Sequence, residues 1–183
     1  YLGDKGWKKA GAETIPPIIA RGVLIDVAGY KNKSVLDKNY RISKEDLKGA
    51  LKKQKVTLKK GDVVLIRTGQ ASHYNDAKKY LDQYPGVSLD AVKWLVEDQH
   101  IMILGADNLG FEAFPSVQPG NWVPVHSYLL AEKGVMFMEQ LNLEEIALDG
   151  IYEFAFVASS IKLRGASGSP MRPIALPFNR RAK

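Results

Sequence analysis

The segment VTLKKGDVVLIRTG, residues 56–69, decides the fold class of this 183-residue chain. Lys60-Gly61 predicts a turn, because glycine next to a polar residue favours chain reversal. The apolar run at 63–66 that follows is short and rich in β-branched residues. Such a run, bounded by turn residues, is typical of a strand that is buried on both faces.

Strand patterns and helix patterns alternate on either side of this segment. The clearest helix is SKEDLKGALKKQ (43–54), in which Ser43 is a candidate N-cap and Asp46 completes a pair resembling a capping box. The predicted strands are 22–29, 63–66, 101–107, 135–139 and 152–163, and the predicted helices are 43–54, 88–100, 124–133 and 143–147. Residues 1–21, 108–123 and 164–178 are predicted loops, and 71–86 a loop with a short helix. This alternation predicts an α/β protein with a mixed sheet and packed helices.

The length and composition of the chain predict one soluble domain. A chain of 183 residues can bury one core, and 45% hydrophobic with 25% charged residues is ordinary for a globular protein. No apolar run is long enough to span a membrane, so we expect no membrane partner. The chain has no cysteine, which excludes disulfides, thiolate metal sites and cysteine nucleophiles. This composition fits a reducing compartment, and we predict a cytoplasmic protein.

A cluster of lysines carries much of the net charge of +6. A basic patch can attract nucleic acid, but no aromatic residue for base stacking is interleaved with this one. The lysines also follow the end of the helix at 43–54, where cations complement the helix dipole. We therefore predict a solvated basic surface and no nucleic-acid partner. The cluster comprises Lys52, Lys53, Lys55, Lys59 and Lys60.

The second informative segment is NWVPVHSYLLAEKGVMFMEQLNLEEIA, residues 121–147. It contains His126 and, thirteen positions later, Glu139. Along a helix, His126 would lie about 12 Å below Gly134, and a returning strand would carry Glu139 back about 16 Å. The sequence therefore predicts that the two side chains lie at the same level. One histidine and one glutamate can be a core pair or part of a metal site, which needs about three protein ligands.

An ordered set of motifs resembles the cyclase family of metal-dependent hydrolases, which includes bacterial kynurenine formamidase and isatin hydrolase. The motifs are PPIIARGVLIDVAGY, GDVVLIRTG, PGVSLDAVKWLVE, ILGADNLGFE, VPVHSYLLAEKGVMFMEQLNLEEIA and YEFAFVASSIKLRGASGSPMRPIAL. They cover the chain from about Pro16 to Leu176. The resemblance implies a swivelling β/β/α fold and an activity that hydrolyses an amide or cyclic amide, as in the arylformamidase step of tryptophan catabolism.

The resemblance also implies a divalent metal, zinc or manganese, with His126 and Glu139 among its ligands. The family's other ligands and its acid–base histidine belong to an N-terminal motif of the form HGTHxDxxxH, which does not occur in these residues. His73 and His100 have no second histidine at ligand spacing, and we interpret them as surface or helix-end residues. We therefore predict that residues 1–183 are one cyclase-family domain that lacks its N-terminal part, with an incomplete metal site.

Five further residues are candidates for contact with a substrate or a metal ligand, and each has a structural alternative. Asp107 can face the site or form a turn. Phe111, Phe114 and Trp122 can form an apolar wall for an aromatic substrate or hold the loop in place. Arg67 can bind a substrate carboxylate or form a structural ion pair.

The sequence leaves two main functions open. The first is a metal-dependent hydrolase of a small-molecule amide, which the resemblance implies to be a homo-oligomer. The alternative is a catalytically inactive, truncated relative that acts as a binding or assembly module. A serine hydrolase is disfavoured, because GASGS (165–169) lacks the final glycine of the G-x-S-x-G motif.

Overall fold

The computed structural model describes residues 2–3 and 6–178 of the chain. The strands are β1 (Leu2–Gly3), β2 (Gly6–Trp7), β3 (Ile18–Asp26), β4 (Arg41–Ile42), β5 (Val63–Arg67), β6 (Gly86–Val87), β7 (Ile103–Ala106), β8 (Phe137–Met138), β9 (Glu153–Ala158) and β10 (Ile174–Pro177). The helices are α1 (Val27–Tyr30), α2 (Lys44–Gln54), α3 (Ala77–Leu81), α4 (Leu89–Lys93), α5 (Pro124–His126) and α6 (Glu144–Leu148). Helix α4 continues as a π-helix over Trp94–Asp98, and α5 continues likewise over Ser127–Lys133. Short 3₁₀ helices lie at Ala12–Thr14 and Gln70–His73.

The chain forms two compact units. The smaller unit contains the residues up to Arg21 and those from Phe154 onward, and the larger unit contains Gly22–Glu153. In the smaller unit β1 pairs with β2, and β9 pairs with β10, both antiparallel. The assignment of the whole chain to one domain remains a prediction.

Four parallel strands form the centre of the larger unit, in the order β3-β5-β7-β8. Their register is regular: Val64 of β5, for example, lies between Val23 of β3 and Leu104 of β7. The predicted class is thus confirmed, because the described strands pair in both parallel and antiparallel fashion and helices pack on them. Parallel pairing places the carboxyl ends of all four strands at one edge of the sheet.

The position of β5 in the core of the larger unit explains why its sequence is a continuous apolar run. All five residues of β5 are buried, as expected for a parallel strand that is covered on both faces. Helix α2 packs against both α1 and α4, and α1 contacts β5. The largest fully buried side chains of this unit are Leu24, Ile25, Ile42, Leu47, Ile66, Leu95, Leu104, Phe111 and Leu129.

Several predicted boundaries were wrong, among them the end of the strand predicted at 152–163, which stops at Ala158. The strand predicted at 22–29 ends at Asp26, because the Asp26 carboxylate accepts a hydrogen bond from the Gly29 backbone and starts helix α1. The predicted loop at 1–21 contains β1, β2 and the beginning of β3. The predicted loop at 164–178 contains β10, whose residues alternate between exposed and half-buried. Pairing with β9 provides backbone hydrogen bonds that a local sequence pattern does not reveal.

The sequence signals for the ends of helices were more accurate than those for the ends of strands. Helix α2 begins after Ser43, whose hydroxyl accepts from the Asp46 backbone N–H while the Asp46 carboxylate accepts from the Ser43 N–H. The helix predicted at 124–133 ends at Lys133, as predicted, and Gly134 after it adopts a left-handed conformation. The N-cap residue of α6 is Leu143, and the side chain of the preceding Asn142 accepts from the Glu144 backbone N–H.

No helix in the described part of the chain has both the length and the apolar character that crossing a bilayer requires.

Replacing Ser43 by alanine should lower the free energy of unfolding by about 1 kcal/mol, because it removes one half of the capping box. Urea denaturation followed by circular dichroism measures this change. The Ser43→Asp variant is the matched control and should stay close to the wild type, since aspartate is also a good N-cap. Equal stability of the alanine variant and the wild type would contradict the role of this cap.

Candidate functional site

The carboxyl edge of the parallel sheet collects charged side chains from four consecutive strands. Asp26 and Arg67 are the last residues of β3 and β5, and Asp107 directly follows β7. Glu139 directly follows β8. In open α/β sheets ligands bind outside the carboxyl ends of the strands, so this edge is the first place to look for a site.

His126 and Glu139 meet at this edge, as their spacing predicted. The His126 Nε2 atom lies 3.4 Å from the Glu139 Oε1 atom. Glu139 is fixed by its neighbours in the chain, because Gln140 N–H donates to the Asn108 carbonyl and Leu141 N–H donates to the Ala106 carbonyl at the end of β7. Among the residues that the structure describes, Glu139 Oε1 is buried and has no hydrogen-bond partner.

A second carboxylate, Glu112, contacts the other side of His126. Its Oε1 atom lies 2.7 Å from His126 Nδ1 and accepts a hydrogen bond of 3.0 Å from the His126 backbone N–H. Its Oε2 atom accepts from the Val125 backbone N–H at 3.3 Å. Glu112 is only 5% exposed. The imidazole is therefore held between two carboxylates, one at each ring nitrogen.

Aromatic rings complete the surroundings of the histidine. The Phe137 ring meets the His126 ring edge-on, with their centroids 4.7 Å apart. Phe111, which is fully buried, packs against Phe137 at 5.3 Å. Phe111 thus belongs to the core behind the histidine, and its side chain is not exposed to a substrate.

The electrostatics of the site favour a positive charge on the imidazole. Burial on its own would lower the pKa of His126, but Glu112 and Glu139 outweigh it and raise the pKa to about 9. Without another cation, the ring is therefore an imidazolium at neutral pH. A metal ion would take the place of that proton on Nε2.

Tyr84 is a second aromatic group near the carboxylates. Burial raises its pKa, and the charges of Glu139 and Glu112 add to this effect. Its ring stacks on Phe114, with centroids 5.9 Å apart. A Cβ atom on Gly110 would lie 2.3 Å from the Tyr84 hydroxyl, so glycine at this position leaves room for the phenol.

Arg67 has protein partners on all sides of its guanidinium. It makes a bidentate pair with Glu144 at 2.9 and 2.7 Å, and its Nη1 atom donates to Asp26 at 2.9 Å. Its Nη2 atom also donates to the Ser34 carbonyl. This arrangement is the structural ion pair that the sequence left open beside substrate binding. It joins β3, β5 and α6.

Asp107 is completely buried and organises the loop after β5. Its carboxylate accepts from the Thr68 backbone N–H, the Thr68 hydroxyl and the Gly69 backbone N–H, at 2.7 to 2.9 Å. Burial raises the pKa of Asp107 to about 6, although these hydrogen bonds act in the opposite direction. The carboxylate thus connects the ends of the adjacent strands β5 and β7, and it has no exposed surface for a substrate.

The remaining candidates are exposed or half-buried. Trp122 is 76% exposed whereas Phe111 is fully buried, and within the described residues no ring contact joins Trp122 to Phe111 or Phe114, so the three do not form one stacked wall. His100 is exposed and His73 is half-buried. The five lysines of the basic cluster are all exposed, in keeping with a solvated surface.

A groove of about 590 Å³ adjoins the site from the side of Glu112. Its lining includes Arg41, Lys93, Glu112 and Val125, but neither His126 nor Glu139.

The donor atoms at the site suit part of a metal centre. An imidazole nitrogen and a buried carboxylate oxygen without a hydrogen-bond partner are ligands that zinc and manganese accept. Within the described residues, no group of three or more histidine, aspartate or glutamate side chains is arranged to hold a metal ion. The described part of the chain therefore provides two ligand atoms, and a tight site needs others.

Glu112 and Tyr84 are the residues that sequence reasoning missed. Glu112 lies fourteen positions before His126, within a loop, so no helical or strand spacing links the two residues. Its only signal is an acidic residue in a long loop that precedes a helix beginning with Pro124.

Comparison with known proteins identifies the family. The family described as "Putative cyclase" matches residues 5–113. This match covers more than half of the 183 residues, and the chain belongs to the cyclase family.

Similar proteins agree with this assignment. Cyclase-like protein 3 of Oryza sativa subsp. japonica is 36% identical over 112 residues, which are 61% of this chain and 38% of the rice protein. The crystal structure of a protein described as a novel cyclase is 38% identical, with a TM-score of 0.76 over 87% of this chain and 53% of that one. The chain therefore spans about half or less of the length of these two proteins.

More distant structures share the fold. Isatin hydrolase A from Ralstonia solanacearum has a TM-score of 0.73 at 23% identity, over 89% of this chain and 62% of the other. A protein described as a potential metal-dependent hydrolase with cyclase activity has a TM-score of 0.61 at 24% identity, over 94% and 71%. At these identities the likeness shows the α/β fold alone.

The stability of the protein should carry a pH-dependent contribution from Asp107. The pKa in the folded state, about 6, lies above the unfolded value of 3.8, so ionisation of this group opposes folding. The contribution of Asp107 to the free energy of unfolding should decrease by at most about 3 kcal/mol as the pH rises from about 4 to 6. Above pH 6 it should stay constant. Urea denaturation at pH 4.5 and 7.5 measures it. The Asp107→Asn variant cannot titrate and should lose this part of the slope, and an identical slope in both proteins would contradict the assignment.

Proposed function

We propose that this chain carries part of the active site of a metal-dependent hydrolase that cleaves an amide or cyclic amide. The observation that carries the proposal is the pairing of His126 Nε2 with a buried Glu139 oxygen that has no hydrogen-bond partner. Membership of the cyclase family and a fold shared with proteins described as hydrolases support it.

In this proposal His126 and Glu139 hold the divalent cation, zinc or manganese. Bound in such a site, the cation supplies Lewis acidity, which activates water and polarises a carbonyl group. His126 contributes a neutral nitrogen with its proton on the opposite side of the ring. Glu139 contributes negative charge, which offsets part of the charge of the cation.

The other ligands and the acid–base group are proposed to come from chain that lies outside these 183 residues. The support is the share of the relatives that this chain spans, 38% of the rice protein and 53% of the crystallised cyclase. The family resemblance assigns such ligands to an N-terminal HGTHxDxxxH motif. The carboxyl edge of the sheet, with His126 on one side, is where these ligands would converge.

The proposed substrate is a small molecule with an amide bond. Tyr84, which interacts with the charges of Glu139 and Glu112, stacks on Phe114, and these half-buried rings favour a planar or aromatic substrate of the formylkynurenine or isatin type. We also propose a homo-oligomer, with the exposed Trp122 and Val117 of the loop before α5 as candidate contacts between subunits.

In the natural full-length protein, His126→Ala and Glu139→Gln should each reduce zinc or manganese affinity by at least about 100-fold. Loss of a residue that merely supports a ligand already costs about 10–100-fold, and here a ligand itself is removed. Metal content by mass spectrometry and hydrolysis of formylkynurenine and isatin measure the effect. His100→Ala is the matched control, because His100 is exposed, and it should retain both metal and activity.

Retention of metal and of hydrolysis in both variants would disprove the proposed site. A full-length wild type that binds no metal and hydrolyses neither substrate would favour the alternative, a binding or assembly module that keeps the fold.

A further inference from the structure

We infer that Glu112 is the positioning residue for His126: its carboxylate keeps a proton on Nδ1 and thereby leaves Nε2 free to bind the cation beside Glu139. The part of this inference that concerns cation binding rests on the proposed function. The orientation of His126 by Glu112 is a separate statement and can be tested without any metal.

The contacts of Glu112 distinguish it from an ordinary buried glutamate. One oxygen accepts from the His126 backbone N–H at 3.0 Å and lies 2.7 Å from the Nδ1 atom of the same residue. The other oxygen faces the Val125 backbone N–H. Both the main chain and the side chain of His126 are therefore held by one carboxylate, which fixes the ring relative to the start of α5.

The chemistry of the two groups determines the tautomer. An ionised carboxylate only accepts hydrogen bonds, so the Nδ1 atom that faces Glu112 must carry the proton. In a neutral imidazole the lone pair then lies on Nε2, the atom that faces Glu139. A free histidine side chain in water prefers the opposite tautomer, so Glu112 works against the intrinsic preference. Carboxylate partners of this kind orient histidine ligands and increase their basicity in metal sites.

The conformation and contacts of the backbone around Glu112 fix the position of this carboxylate. The preceding residue, Phe111, has a positive φ of 54°, which is uncommon for a bulky side chain. Gly86 allows the Glu112 backbone to approach, since a Cβ atom there would lie 2.2 Å from the Glu112 carbonyl carbon. Val87, next to Gly86, forms an isolated parallel bridge with Glu112. Three neighbours thus hold the main chain from which the carboxylate extends.

The simpler explanation is that Glu112 only caps a helix. Val123, the N-cap of α5, makes no capping hydrogen bond with its side chain, and Glu112 takes over that role from a distant part of the chain. A cap explains the two backbone contacts, but it does not require contact with Nδ1. The experiment must therefore measure the protonation of the ring and metal affinity as well as stability.

The first measurement is the tautomer of His126 in the metal-free protein labelled with ¹⁵N-histidine. Two-bond ¹H–¹⁵N spectra, recorded at the alkaline pH at which the His126 signals no longer change with pH, report which nitrogen of the neutral ring carries the proton. The chain has three histidines, so His73 and His100 provide internal references. We expect the Nδ1–H form in the wild type and predominantly the Nε2–H form in Glu112→Ala.

The second measurement is the zinc affinity of the natural full-length protein. Glu112→Ala and Glu112→Gln should each weaken binding by about 10–100-fold, which is typical for the loss of a group that orients a ligand. Glu112→Gln keeps the side-chain volume and one acceptor oxygen. It therefore replaces the alanine variant in the affinity measurement if Glu112→Ala does not fold. The control Ser43→Ala removes the cap of a different helix and should change neither the tautomer nor the affinity.

The inference is overturned if folded Glu112→Ala keeps the Nδ1–H tautomer, or if Glu112→Gln binds zinc as tightly as a zinc-binding wild type. Failure of the proposed function has a different signature. In that case the wild type binds no zinc through His126, while the tautomer still changes in Glu112→Ala.

Discussion

Parallel pairing of β3, β5, β7 and β8 is the constraint on which the rest of the larger unit depends. It directs the residue at the end of each strand to the same edge, so Asp26, Arg67 and Glu139 come together there although more than forty positions separate each from the next along the chain. Strands buried on both faces cannot place charge along their length, and charge therefore accumulates where they end. The same geometry concentrates ligand sites at the carboxyl edge of other open α/β sheets.

Charges at this edge are compensated in two different ways. Arg67 is paired with Asp26 and with both oxygens of Glu144, and Asp107 accepts three hydrogen bonds from Thr68 and Gly69. Both groups are satisfied within the protein and hold strand ends together. Breaking such a buried pair leaves an uncompensated charge, which is costly, so these residues serve the fold first.

The neighbourhood of His126 is different because it carries an excess of negative charge. Two carboxylates face one imidazole, and one oxygen of Glu139 has no hydrogen-bond partner among the described residues. A buried carboxylate oxygen without a hydrogen bond is unfavourable unless a cation lies beside it, a role that protonated His126, 3.4 Å away, or a bound metal ion can fill. This imbalance distinguishes the site chemically from the ion pair at Arg67, although the two lie along the same edge of the sheet.

The sequence by itself determined those elements whose ends depend on residues close together in the chain. The apolar run of β5, the capping box of Ser43 and Asp46, and the stop at Gly134 each depend on residues a few positions apart. The spacing of His126 and Glu139 also sufficed, because a helix and a return segment of known rise bring them to one level. Tertiary structure alone decided the partners that are distant in sequence: Glu112 for His126, Glu144 for Arg67, and β9 for β10. Hydrogen bonds and ion pairs depend on distance in space, and a linear pattern does not record which loop returns to which strand end.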